Sequence, residues 1–153
     1  TFKPRMDNRY TNDGFIVTHS DIHETCYLIS SGEEMIKIFE NEDDVSAIAI
    51  DEAFMIEGIA DATLQIFYGQ KIDVLVASID ISASLVPFDE VSILLSHATH
   101  VKKCKAVCTS CGEAASYTLR KFSIDNKSDQ IRVGGNELYE PRCLKHHSDL
   151  LNI

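Results

Sequence analysis

The chain is short of positive charge, of glycine and of long apolar stretches, and each shortage excludes something. Its 153 residues carry 14 Lys+Arg against 24 Asp+Glu, a net charge of −10. Tracking a phosphate backbone needs a basic surface, so nucleic acid is not an expected partner, although a few convergent cations still suit one anionic ligand. No apolar run approaches the ~18 residues that cross a bilayer as a helix, so a membrane is not expected as a partner either. No hydrophobic leader of the secretory kind is visible, which points to a cytoplasmic or other intracellular compartment. None of the seven glycines is followed by lysine. The phosphate-cradling loop G-x-x-x-x-G-K-[ST] is therefore absent from these residues. Nor does the chain open on methionine: it starts Thr1-Phe2-Lys3-Pro4, and further residues are expected before it.

What is present suffices for a core. Hydrophobic residues make up 44% and charged residues 25%, the balance of a compact globular domain with room for a small appendage.

The five cysteines fall unevenly. Cys108-Thr109-Ser110-Cys111 is a C-x2-C knuckle and Cys143-Leu144-Lys145-His146 a C-x2-H knuckle. Two intervening residues turn the chain back so that both ligands of a knuckle aim at one point, and two knuckles complete a tetrahedron. Cys108, Cys111, Cys143 and His146 are thus expected to hold a structural zinc, with no position left open for water. A disulfide is the plainer alternative, disfavoured by the odd cysteine count and an intracellular setting. His147 stands beside His146, but the spacing favours the latter. Cys26 and Cys104 lack such spacing and are expected in the core, and His97 with His100 has no third ligand nearby.

The apolar pattern alternates between strand and helix. Phe15–Thr18 and Cys26–Ile29 are predicted strands. Ser31 with Glu34 forms a capping box before an apolar helical face at Met35, Ile36, Ile38 and Phe39. Val45–Ile50 and Lys71–Ile79 read as strands buried on both faces. Helices are predicted over Ile56–Tyr68, ending at Gly69, and over Asp89–Ser96. This β-α-β-α order calls for an α/β fold, a parallel sheet with crossover helices over residues 1–104. From residue 105 to 153 the texture changes to a small β lobe built on the two knuckles.

Ligands of open parallel sheets bind beyond the carboxyl ends of strands. The strand at 45–50 ends there in Asp51-Glu52. An apolar strand followed by two acids suits nucleotide chemistry, one acid helping to hold Mg²⁺ and its neighbour activating a nucleophile. Many strands also end in Asp for reasons of the turn alone.

Several segments in order resemble one family, the zinc-containing, P-loop type of thymidine kinases. Lys3-Pro4-Arg5-Met6-Asp7-Asn8-Arg9-Tyr10 is similar to its K-P-x-x-D-x-R-Y segment, and Ile50-Asp51-Glu52-Ala53 to its I-D-E-[GA] motif. Pro87-Phe88, Ala106-Val107-Cys108, Glu113 through Arg120, and Gly134-Gly135-Asn136-Glu137-Leu138-Tyr139 resemble later family segments with compatible spacing. The resemblance implies a P-loop-kinase-like sheet and ATP-dependent phosphorylation of the thymidine 5′-hydroxyl in nucleoside salvage. It implies Glu52 as general base and Asp51 as support for the Mg²⁺ of Mg-ATP. Asp7 and Arg9 would lie near the transferring phosphate. Thr118, Gly134, Gly135 and Tyr139 would enclose the base, with zinc fixing the roots of that loop. A homotetramer is also implied.

The first strand and P-loop of that family, about forty residues for a strand–loop–helix unit, are expected upstream of Thr1. Two departures matter. Ala83 stands where the family has a phenylalanine, and Leu85-Val86 where it commonly has basic residues. A second role follows from these: a catalytically lapsed kinase-like zinc protein serving as a subunit of a larger assembly.

Overall fold

The computed structural model describes residues 1–7, 14–17, 23–121 and 133–147. They form two compact units, Thr1–Asp80 with Asp89–His97, and Ile81–Phe88 with Ala98–Ile153.

The first unit is α/β, as the alternating pattern predicts. Strands β1 (Phe2–Pro4), β4 (Tyr27–Ile29), β5 (Ala47–Ile50) and β6 (Asp73–Val76) form a parallel sheet in the order β4-β1-β5-β6. Helix α1 (Gly32–Phe39) crosses from β4 to β5, and α2 (Ile59–Gln70) from β5 to β6. Strands β2 (Phe15–Val17) and β3 (His23–Thr25) pair antiparallel as a separate hairpin, so the predicted strand at 15–18 is not part of the parallel sheet.

Sequence reading misses β1, whose three residues include a proline. A proline inside a sheet leaves a missing donor. Here it costs little. Arg5 N–H donates to Ile29 O at 2.8 Å, so by alternation the nitrogen of Pro4 faces β5, with which β1 pairs only at Phe2–Ile50.

Ser31 caps α1, its Oγ accepting the Glu34 N–H, while Glu34 Oε2 accepts the N–H of Ser30 at 2.8 Å. The predicted capping box is present, with its return bond shifted one residue back. Met35 of α1 packs with Phe2, Ile29, Ile48, Ile50, Ile59 and Ile66 in one core under the sheet.

Helix α2 differs from expectation at both ends. A short 3-10 turn, Ala53–Met55, precedes it, and Gly58 in left-handed conformation starts it. It runs through Gly69 to Gln70, and Lys71, at φ +55°, closes it by donating N–H to Phe67 O. The cap comes from elsewhere: Glu90, on α3 (Asp89–His97), accepts the N–H groups of Gly58 at 3.1 Å and Ala60 at 2.7 Å. A carboxylate there satisfies donors that the helix cannot and meets the positive end of its dipole.

Strand β6 also departs from expectation. It is an edge strand, and among the described residues nothing pairs with its outer side. Leu75 is 61% and Val76 39% exposed, so the apolar run predicted to be buried on both faces is covered only in part.

In the second unit, β7 (Ala106–Val107) pairs with β8 (Ala114–Ala115), and β9 (Tyr117–Arg120) with β10 (Tyr139–Arg142), both antiparallel. A 3-10 turn, Leu144–His146, follows. Cys104 is exposed and Cys26 half-buried, so neither is the core thiol expected. No helix among the described residues is long and apolar enough to cross a membrane.

The α1–α2 crossing depends on Gly32. A Cβ there would stand 2.2 Å from Gly58 O and 2.7 Å from Ala62 Cβ. Gly32→Ala is therefore expected to destabilise the fold by about 1–3 kcal/mol, the usual range for overpacking, seen as a lower urea midpoint at unchanged slope.

Candidate functional site

Three acids gather at the carboxyl ends of β1 and β5. Asp51 follows β5 directly, and its N–H donates to Phe2 O at 2.9 Å. Its Oδ1 accepts the Glu52 N–H at 3.1 Å. Glu52 takes φ +50° and ψ 45°, the left-handed region. That conformation costs a residue with a Cβ about 1–2 kcal/mol. The next turn is tied down: Ala53 N–H donates to Ala77 O at 3.3 Å and Phe54 N–H to Ser78 Oγ at 3.2 Å. Strain held this way at a strand end is characteristic of working sites. Asp7 follows β1, with its N–H on Pro4 O at 3.0 Å, and it is buried beside Lys3. The parallel register thus brings Asp7, Asp51 and Glu52 to one edge, where open α/β sheets take ligands. Arg9 lies outside the described residues.

In the second unit the four predicted metal ligands converge. The donor atoms of Cys108, Cys111, Cys143 and His146 all lie within 4.8 Å of one another. Cys111 Sγ is 3.8 Å from Cys143 Sγ, and Cys143 Sγ is 3.2 Å from His146 Nδ1. Burial pushes the Cys108 thiol up, but the N–H groups of Cys143, Ser110 and Cys111 outweigh it and bring it down to about 6. For Cys111 the N–H of Glu113 favours the thiolate, but burial and the neighbouring sulfurs of Cys108 and Cys143 together push its pKa up. Crowded thiols, one of them predisposed to ionise, suit a cation. Three sulfurs and one imidazole fit tetrahedral Zn²⁺ with every position filled by protein.

His147 is not a ligand of this cluster. It is fully buried, and its Nε2 lies 3.0 Å from Thr118 O. A carbonyl can only accept, so Nε2 carries the proton. The first knuckle makes a matching bond, Thr109 N–H to Pro141 O at 3.1 Å. Lys121 N–H donates to Leu138 O at 2.9 Å, which makes Arg120–Tyr139 a non-hydrogen-bonded pair and, by alternation, Thr118–Pro141 another. The carbonyls of Thr118 and Pro141 therefore point out of the ladder, and the first knuckle and the residue that follows the second satisfy them.

Thr118 and Tyr139 share a face of that ladder, since Tyr139 opposes Arg120 and Pro141 opposes Thr118. Gly134 and Gly135 enter it through a tight turn. Leu138 and Tyr139 both donate N–H to Gly135 O at 3.0 Å, and Glu137 Oε1 accepts the Gly135 N–H at 2.8 Å. That bond, with one from its own N–H, lowers the Glu137 pKa. A Cβ on Gly134 would stand 2.3 Å from Leu138 Cδ1, so a larger residue there has to displace the Leu138 side chain.

His97 is engaged by Tyr68, whose hydroxyl is 3.0 Å from its Nδ1. Ser78 and Glu90 brace the acidic edge and its helix, and sequence reading passes over both. Asp89-Glu90 reads there as the first turn of its own helix, not as the cap of another. Set against known families, the chain matches the model described as thymidine kinase over residues 1–147.

Purified protein is expected to contain one zinc per chain, measured by chelator competition, with Cys143→Ser losing it. Because ligands must be deprotonated, zinc affinity should fall as pH is lowered, most steeply below about 6, where Cys108 regains its proton. Glu52→Gly should relieve the left-handed strain and raise unfolding stability by about 1 kcal/mol or less, read by denaturation.

Proposed function

Because that match takes in nearly the whole chain, the chain belongs to the thymidine kinase family, and we propose that the protein it comes from phosphorylates the 5′-hydroxyl of thymidine from ATP. The observation that carries this reading is the Asp51-Glu52 turn, held in strained geometry at the end of a central parallel strand. Glu52 is the general base: its carboxylate takes the hydroxyl proton as the 5′-oxygen forms a bond to the γ-phosphorus. The bond from that phosphorus to the bridging oxygen then breaks, and ADP leaves. Asp51 would support the Mg²⁺ that accompanies ATP and neutralises its phosphate charge, and Asp7 would lie near the transferring phosphate. Arg9 would add positive charge near the transferring group, where positioning and charge neutralisation do most of the catalysis.

Thr118 and Tyr139, on one ladder face, and the Gly134–Gly135 backbone would enclose the thymine. A base-binding loop loses conformational entropy when it closes, and knuckles bonded to both ladder strands reduce that loss. A homotetramer is the assembly that family membership suggests.

The loop between β6 and α3 favours a second role. Ser82 N–H donates to Val86 O at 2.9 Å, and Val86 N–H to Ser82 Oγ at 3.1 Å, folding the loop on itself. Ala83 and Leu85-Val86 place neither a ring nor a cation there. A lapsed kinase acting as a zinc-bearing subunit of a larger assembly would have such a loop.

Activity separates the two. These residues contain no G-K dipeptide to cradle the ATP phosphates, so the assay uses the full-length polypeptide. Thymidine phosphorylation is expected, with kcat lowered by about 10²–10⁴ in Glu52→Gln and KM little changed. Full activity in that variant would remove Glu52 from its role. A wild type that neither turns over nor gains thermal stability with ATP and thymidine would establish the second role.

A further inference from the structure

The face of β1 turned away from the core carries a buried charge that the proposed reaction does not use. Lys3 is 2% exposed, and its Nζ lies 3.5 Å from Oδ2 of Asp7, itself 3% exposed. Burying an ammonium is expensive, and a paired carboxylate often only breaks even with apolar residues of similar volume. Methionine would fill the same space without that cost, so packing does not explain a lysine in the second strand of a parallel sheet.

The register shows what the charge faces. Phe2 pairs with Tyr27 on one side and with Ile50 on the other. One residue further on, Lys3, Leu28 and Asp51 stand on the opposite face together. Cys26, two residues before Leu28, belongs to that face as well. Its thiol is raised first by burial, then lowered by the Lys3 charge and raised by that of Asp51, so both charges lie within reach of it. Lys3 therefore shares a face with the half-buried Asp51, and its own buried ammonium ends at Asp7. Two carboxylates brought to one edge repel each other, and a buried cation, poorly screened by water, offsets that repulsion far better than an exposed one.

We propose that Lys3 is a positioning residue, whose buried ammonium holds the Asp7 carboxylate at the same strand-end edge as Asp51. The role rests on the kinase reading of that edge. It requires no contact between Lys3 and substrate: the effect of Lys3 on the reaction runs through Asp7.

The test is a double-mutant cycle in the full-length protein, with rates corrected for the folded fraction. Lys3→Met is expected to lower kcat about tenfold or more, as misplacing a group at a reacting centre does. Lys3→Arg, which keeps the charge, should recover much of that loss. In an Asp7→Asn background, adding Lys3→Met should change kcat by less than about twofold, because no carboxylate remains to be placed. Equal fold losses in the two backgrounds would overturn the proposal, since a merely structural lysine gives that result. If Lys3→Met alone does not fold, the double variant, which leaves neither charge buried without its partner, is compared with Asp7→Asn; a loss beyond twofold overturns the proposal there too. If the wild type phosphorylates no nucleoside, the kinase reading fails on its own account. A crystal structure of Lys3→Met, or of Lys3→Arg if the former does not fold, then decides the matter. A displaced Asp7 carboxylate is expected, and an unmoved one overturns the assignment.

Discussion

Three residues, Phe2–Pro4, lie between β4 and β5, and the polar edge of the first unit exists because they do. Parallel strands run in register, so their ends fall together and whatever follows each strand collects at one rim. Asp7 follows β1 and Asp51-Glu52 follows β5. The bond from Asp51 N–H to Phe2 O joins the two strand ends. Phe2 anchors the strand in the core on one face, while Lys3 puts a buried charge on the other. The same short strand therefore supplies both packing and electrostatics to the rim.

The second unit is organised around four side chains that close on one point. A structural metal adds stability chiefly where folding has few other sources of it, and a lobe of two short hairpins has little core of its own. The knuckles do more than gather ligands. Thr109 and His147 bond the outward carbonyls of Pro141 and Thr118, so a metal held by the four ligands would brace the ladder that carries Thr118 and Tyr139. Proline is tolerated at position 141 for the same reason: in a non-hydrogen-bonded pair the missing N–H would have pointed out of the ladder.

Local strain and local economy mark the two regions differently. Glu52 holds a left-handed conformation that a glycine would hold at lower cost, and two bonds from the chain beyond β6 keep the turn in place. A carboxylate retained in an unfavourable backbone argues that the side chain has work to do. The loop after β6 shows the reverse: it folds on its own hydrogen bonds with small and apolar residues, and nothing in it reaches for phosphate. The proposed kinase and the lapsed subunit differ on which of these two features governs.

The sequence by itself determined what depends on close neighbours along the chain. Both knuckles, the capping box at Ser31 and the alternation of strands and helices were legible because turns, caps and periodicity are set within a few residues. The order of strands was not legible, because a three-residue strand ending in proline carries no periodicity and is identified only by its partners. Nor was the capping of α2 by Glu90 or the bond of His147 to Thr118, which join residues 30 to 32 and 29 positions apart. The apolar run of β6 looked buried, yet its exposure is set by the absence of a neighbour on its outer side among the described residues. Residue types and their spacing select a local conformation, but only the folded chain decides which distant groups meet, and burial, pairing and charge at the two candidate sites follow from those meetings.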